Sequence, residues 1–442
     1  MKLSNSIKQI SAVLACAALF QMGAKAANPV KAFSFGATKV SQTALQVDTT
    51  TKYSDAKGYG ITTFGPLTTS SKKTKTPFIA SEKPFYFSVQ LPEGHYRVTL
   101  TLGGNAEGSS TTVKAESRRL MFENLKTEAG KTVTKTIIVD LRTPKVDDST
   151  KIKLKPRELK YINWDNKLTL EFAGEKPCIS AIEIQNADEL PTIFLAGNST
   201  VTDQEYEPWA SWGQMFPNFL KANVVVANYA ESGETLLAFK RENRLKKILS
   251  LMKKGDYLFM EFAHNDQKPG GNHLDPFTTY KAELKFYIAE AKKKGGIPVL
   301  VTSTNRRRFD ADGKIINTLE DFPAAMRQLA AEDNVLLIDL NAMSKDFYEA
   351  LGPEMSKKAF VHYPANSYPG QTQALADDTH FNPYGAYELA KCVVQSIVTN
   401  NYPMKQFVNN SWKTFNPKQP DSLTEFHWYE SPSVDVLKPD GN

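Results

Sequence analysis

Cysteine is nearly absent from this chain. The 442 residues hold only Cys16, Cys178 and Cys392, and the last two fall in segments of different character, so a fold stapled by a disulfide framework is not expected. Histidine is as sparse, six residues in all, and no Cys/His cluster stands at metal-ligand spacing, which argues against a structural zinc site. No long basic tract is interleaved with aromatic residues, so the chain lacks the electrostatic footprint of a nucleic-acid binder. Long apolar runs are missing too. Even the stretch from Ile10 to Phe20 is far too short to span a bilayer as a final anchor.

That stretch has another use. Lys2 and Lys8 flank it on the N-terminal side and Ala24-Lys25-Ala26 follows as a small-x-small cleavage site, the pattern of a secretory signal peptide. Cleavage after Ala26 removes Lys2, Lys8 and Lys25 and no acid, taking the formal net charge from +6 to +3. A secreted or periplasmic protein is expected. Val13-Leu14-Ala15-Cys16 loosely resembles a lipoprotein box, which would anchor the chain through Cys16. The apolar run continues past Cys16, and Leu14 fits such a box poorly, so the first reading is preferred.

The residues left are too many for one ordinary core, and two domains are expected. Over 27–188 short bursts of alternating apolar and polar residues are separated by turns, as in Phe85 to Leu91, then Pro92-Glu93-Gly94, then Tyr96 to Leu102. That period of two predicts an all-β sandwich of jelly-roll type. Over 189–405 the pattern changes to apolar runs of strand length, Ile193–Ala196, Val224–Ala227, Tyr257–Met260, Pro298–Val301 and Val335–Ile338, alternating with helix-length segments at 209–220, 235–254, 280–294 and 322–332. This predicts an α/β domain, a doubly wound parallel sheet with helices on both faces, in which ligands bind beyond the carboxyl ends of the strands. Proline-rich residues 406–442 predict an extended tail on the surface or between domains.

The candidate chemistry sits at those strand ends. Ser199, in Gly197-Asn198-Ser199-Thr200, follows the first apolar run of the second domain and could expose a nucleophilic hydroxyl, or simply cap a turn. Gly233 follows the second run and could aim an unobstructed N–H into a site. Asn265, in His264-Asn265-Asp266, follows the third and could donate to an oxyanion, with His264 assigned to framing the loop. His380 precedes Asn382-Pro383, a plausible helix cap and first-turn proline, and is the strongest candidate for a general base. Asp377, three residues before it, could orient the imidazole from a shared tight turn, with Asp378 as the competing carboxylate. Arg306-Arg307-Arg308 after the fourth run could meet carboxylates in bidentate fashion or form a solvated face. Tyr206, Trp209 and Tyr384 could touch sugar rings, although Trp209 and Trp212, at helical spacing, suit a core.

Taken in order, these blocks resemble the SGNH/GDSL hydrolase superfamily and, within it, the rhamnogalacturonan acetylesterase family. The resemblance covers residues 190–400. It implies a flavodoxin-like α/β fold, Ser199 as nucleophile with its N–H as an oxyanion donor, Gly233 and Asn265 as further donors, and an Asp-x-x-His block that selects Asp377 over Asp378 beside His380. It further implies a secreted carbohydrate acetylesterase acting on acetylated pectic polysaccharide or oligosaccharide, with no metal or organic cofactor. Acetylated xylan, a lipid ester and a decayed binding protein are the rivals, and the lack of a long apolar lid-like segment counts against a lipase. Asn198 stands where the family has aspartate, and Ala263 where it has glycine. The first domain is similar to galactose-binding-like sandwiches.

Overall fold

The computed structural model describes residues 31–36, 43–70 and 76–439. The signal peptide expected over 1–26, with Cys16, lies outside the described residues. From Lys31 to Asn186 the chain forms two sheets, one of seven strands and one of five. The strand pairings described are antiparallel except that of Lys31–Phe35 with Leu45–Val47, and an isolated bridge of Lys52 with Ile61 is also parallel. The alternation predicted for Tyr96 to Leu102 is realised in the strand Gly94–Gly103, which buries Tyr96, Val98, Leu100 and Leu102 and turns the residues between them outward. These side chains meet Phe85, Phe87 and Leu170 of the five-stranded sheet in one core, as a sandwich requires.

The second half is built on five parallel strands: β1 (Thr192–Gly197), β2 (Val225–Asn228), β3 (Tyr257–Glu261), β4 (Ile297–Val301) and β5 (Leu336–Ile338), in the order β2-β1-β3-β4-β5. Because side chains alternate across a strand, β1 divides its apolar residues between two cores. Ile193 and Leu195 join Trp212, Phe216 and Ile397 on one face, while Phe194 and Ala196 join Phe239, Tyr287 and Leu329 on the other. Seven helices cover these faces: α1 (Trp212–Met215), α2 (Leu236–Arg241), α3 (Arg244–Leu251), α4 (Lys281–Lys293), α5 (Phe322–Glu332), α6 (Leu340–Met355) and α7 (Pro383–Thr399). Helices α1, α6 and α7 lie on the first face and α2 to α5 on the second. No helix among the described residues is long and apolar enough to cross a membrane.

The expected helices need three corrections. The stretch 209–220 is helical only over α1 and a following 3-10 turn, Phe216–Phe219, because Pro217 withholds a backbone N–H inside it. The stretch 235–254 is broken between α2 and α3, where Asn243 takes a left-handed conformation with φ 67°. Helix α6 and the antiparallel pair β6 (Phe360–Tyr363) and β7 (Leu375–Phe381) were not anticipated.

The segment 203–210, which follows the Ser199 loop, is where the two halves and the chain's later residues meet. From the sandwich, Arg118 pairs with Glu207 and donates to the carbonyls of Gln204 (3.2 Å) and Trp209 (2.8 Å), and Arg119 reaches Asp203 at 3.1 Å. From the other side, residues 428–438 lie alongside as a strap. Val434 bridges to Glu207 in parallel, Glu207 accepts from Trp428 Nε1 (2.9 Å) and the Ser431 N–H (3.0 Å), and Trp209 Nε1 donates to the Asp435 carbonyl at 3.0 Å. These charged groups are buried, so each needs the partners described.

Candidate active site

The order β2-β1-β3-β4-β5 reverses direction between β1 and β3, and in sheets of this kind ligands bind beyond the carboxyl ends of the strands at that reversal. β1 ends at Gly197, where a side chain would sit 2.6 Å from Val201 Cγ2 and 2.9 Å from the Glu261 carbonyl. Glycine therefore lets the chain leave the sheet closely packed and enter the loop carrying Ser199. There Ser199 Oγ lies 2.9 Å from His380 Nε2, and His380 Nδ1 lies 2.9 Å from Asp377 Oδ2. A carboxylate can only accept, so Nδ1 carries the hydrogen and Nε2 is left to accept from the serine hydroxyl. All three side chains are buried.

Asp377 and His380 lie in β7 rather than in the expected tight turn. A regular strand would put Asp378, not Asp377, on the same face as His380. Asp377 Oδ1 instead accepts from the N–H groups of Thr379 (2.7 Å) and His380 (2.9 Å), curling the strand so that Oδ2 meets the ring. Burial opposes its charge, but the His380 ring and these two N–H groups outweigh burial and hold the carboxyl well below the usual carboxylate range. Lys438 of the strap also reaches Asp377 Oδ2, at 3.3 Å. Asp378 belongs to a different cluster, bonded to Arg307 Nε (2.7 Å) and His362 Nε2 (2.9 Å).

Two more loops close around Ser199. Gln204 Nε2 donates to the Ser199 carbonyl (2.9 Å) and reaches Ser232 Oγ (3.5 Å), tying the Ser199 loop to the turn holding Gly233, whose φ is 81°. Asn265 Nδ2 donates to the Glu234 carbonyl at 3.1 Å, tying that turn to the loop after β3 and leaving a second amide hydrogen. His264 is buried, and its imidazole is pushed well below its ordinary pKa by burial and by the charges of Arg306 and His380, so it stays neutral. Asp266 accepts from the Leu236 N–H at the start of α2, 2.8 Å away.

The remaining candidates divide. Trp209 is buried with its ring edge-on to His380, centroids 5.7 Å apart at 89°, and Trp212 Nε1 bonds Glu261. Tyr384 is buried with its hydroxyl donated to the Asp421 carbonyl at 2.8 Å, and Tyr206 is half-buried against Tyr161. Arg306 is spent on Thr318 and the His264 carbonyl, whereas Arg308 is exposed. Asn198 does its loop work as an amide, its Oδ1 accepting from the Thr200 N–H (3.1 Å) and Oγ1 (2.9 Å). Ala263 is buried in the core beside α2 and α4. Gln204, Glu261 and Lys438 were missed; none sits in a block whose spacing would mark it.

Several buried acids are displaced upward by burial: Glu205, Glu234, Glu261 and Asp266, around the site, to about 7, and Glu116 of the sandwich to about 8. Each binds its proton more tightly folded than unfolded, where carboxyls titrate near ~4. Their stabilising contribution is therefore complete below about pH 4 and is lost as pH rises through 7 to 8; Asp377 acts oppositely, its contribution lost as pH falls below ~4. The unfolding midpoint is expected to be lower at pH 8.5 than at pH 6, and an unchanged or higher midpoint would contradict these assignments.

Residues 195–387 match the GDSL-like Lipase/Acylhydrolase family. Rhamnogalacturonan acetylesterase RhgT of Bacillus subtilis is 43% identical over 215 residues, which is 48% of this chain and 92% of that protein. The chain belongs to the rhamnogalacturonan acetylesterase family. Among solved structures, that of YxiM from B. subtilis covers 84% of this chain and 99% of its own, at 26% identity and a TM-score of 0.45; in sequence the same protein, an uncharacterized esterase, is 27% identical over 393 residues, 84% of this chain and 92% of its own. As a member of the rhamnogalacturonan acetylesterase family the chain is a carbohydrate esterase. Its match to RhgT takes in 48% of its residues, so about half of this chain is additional to the region shared with that relative.

Proposed function

We propose that this protein removes acetyl groups from pectic polysaccharide, rhamnogalacturonan in particular, by a serine acyl-enzyme mechanism, and that it is exported by a signal peptide ending at Ala26. The observation that carries the mechanism is the relay of two 2.9 Å contacts, Ser199 Oγ to His380 Nε2 and His380 Nδ1 to Asp377 Oδ2. Ser199 Oγ attacks the acetyl carbonyl carbon while His380 Nε2 takes the hydroxyl proton. Asp377 stabilises the imidazolium and fixes the tautomer. The carbonyl oxygen becomes an oxyanion, received by the N–H groups of Ser199 and Gly233 and by the second amide hydrogen of Asn265. His380 then gives its proton to the sugar oxygen, which leaves, and Ser199 carries the acetyl group. Water, deprotonated by His380, attacks the acetyl-serine, and acetate departs as Ser199 recovers its proton.

Support for an acidic glycan comes from the relatives' substrate and from cations near the relay. Lys438 touches Asp377, and the Lys268 ammonium is lowered by burial and by the charges of Arg306 and Lys438. Acetate release measured on acetylated rhamnogalacturonan, homogalacturonan, xylan and mannan is the test. The highest kcat/KM is expected on rhamnogalacturonan, and a preference for xylan or mannan would overturn the substrate assignment while leaving the mechanism standing.

A further inference from the structure

The turn that presents Gly233 runs Glu231-Ser232-Gly233-Glu234 and is closed by the Glu234 N–H donating to the Glu231 carbonyl at 3.3 Å. Its third residue, Gly233, has φ 81°, the value of a type II turn and not of type I. The two types differ by a flip of the central peptide, here the one joining Ser232 to Gly233. That peptide is planar and trans, so its C=O and N–H point in opposite directions. Whatever holds the Ser232 carbonyl therefore aims the Gly233 N–H.

What holds it is a pair of cations from outside the α/β half. Lys155 Nζ donates to the Ser232 carbonyl at 2.5 Å and Arg157 Nη2 at 2.8 Å. Both lie in the segment between the sandwich strands Thr132–Leu141 and Lys167–Glu175. Each is itself fixed by a carboxylate of the same turn, Lys155 by Glu234 at 2.5 Å and Arg157 by Glu231 at 2.7 Å. Glu231 and Glu234 are buried, so these pairs are locked rather than mobile at the surface.

We propose that Lys155 and Arg157 are positioning residues for the oxyanion site: they hold the Ser232–Gly233 peptide in the orientation that turns the Gly233 N–H inward, and polarise it. Charge-assisted hydrogen bonds are about twice as strong as neutral ones, and a bond to one end of a peptide strengthens the donor at the other. The α/β half thus draws part of its chemistry from the sandwich half. The inference rests on the serine mechanism proposed above.

The test uses Lys155→Met and Arg157→Met in the full chain, with 4-nitrophenyl acetate as substrate. Competent sites are counted by titration with a fluorophosphonate that labels Ser199. Loss of one whole oxyanion donor typically costs ~10²–10³ in kcat, so weakening one should lower kcat per titrated site about tenfold in each variant, with KM within about threefold. A purely structural role would lower the number of titratable sites and leave turnover per site unchanged. Arg157→Gln keeps an N–H donor without the charge. It guards against misfolding of the Met variants and is expected to lose turnover as well. Turnover per site within twofold of the unaltered chain in the folded variants would overturn the inference. Failure of the fluorophosphonate to label the unaltered chain would instead remove the serine mechanism and this inference with it.

Discussion

Replacing Ser199 with alanine is expected to lower kcat for acetate release by a factor on the order of 10⁶, the scale seen when a nucleophile or base is removed from such a relay. The substitution deletes one oxygen and is expected to leave the fold intact, since among the described residues the side-chain bond of Ser199 Oγ is to His380 in the relay. The Ser199 carbonyl, which does tie the loops through Gln204, is retained. His380→Ala should cost about as much, and the double substitution little more, because neither group acts without the other. Chromogenic acetate esters and a comparison of unfolding midpoints check both points. A folded Ser199→Ala protein with more than a tenth of the original activity would mean that the ester is cleaved elsewhere.

The largest loss of stability is expected from Arg244→Met. Arg244 is fully buried on α3, and its Nη2 reaches Glu158 Oε2 at 2.5 Å while Nε reaches Glu242 at 3.3 Å and Glu234 at 4.0 Å. Glu158 is fully buried too, on the 3-10 turn Glu158–Lys160 between the sandwich strands. Removing the cation strands its carboxylate in a site that water cannot reach, at a cost of about 3–5 kcal/mol. Glu158 is displaced upward by burial and by the nearby charge of Glu231, so lowering the pH should neutralise it and shrink the penalty. Chemical unfolding of both proteins at pH 5 and pH 8 reads this directly. A penalty below about 1 kcal/mol at pH 8, or one that grows on acidification, would contradict the role given to the pair.

Much of the architecture was legible because its signals are local. The five parallel strands announce themselves as short apolar runs, and the sandwich strands by their period of two. Ser199, Gly233, Asn265 and His380 each stand just past such a run or just before a helix cap. Asp377 and Asp378 could not be separated by spacing. The distinction arises from the Asp377 side chain bending its own backbone, where a regular strand would have turned Asp378 to the face of His380 instead. The break at Asn243 depends on one left-handed residue. The groups around the relay were illegible for another reason. Gln204, Arg118, Lys155, Arg157 and Lys438 acquire meaning only from partners brought close by the whole fold.

The strap has a consequence for the order in which the protein assembles itself. Trp209 and Asp435 are 226 residues apart, and Lys114 bonds the Tyr429 carbonyl 315 residues away, at 2.6 Å. Contacts of such long sequence separation carry a large closure entropy and form late. The β-sheets and helices can therefore be largely in place while the wall beside His380 is still open. The docking of residues 428–438 becomes a closing step of folding, completed only after both halves have met.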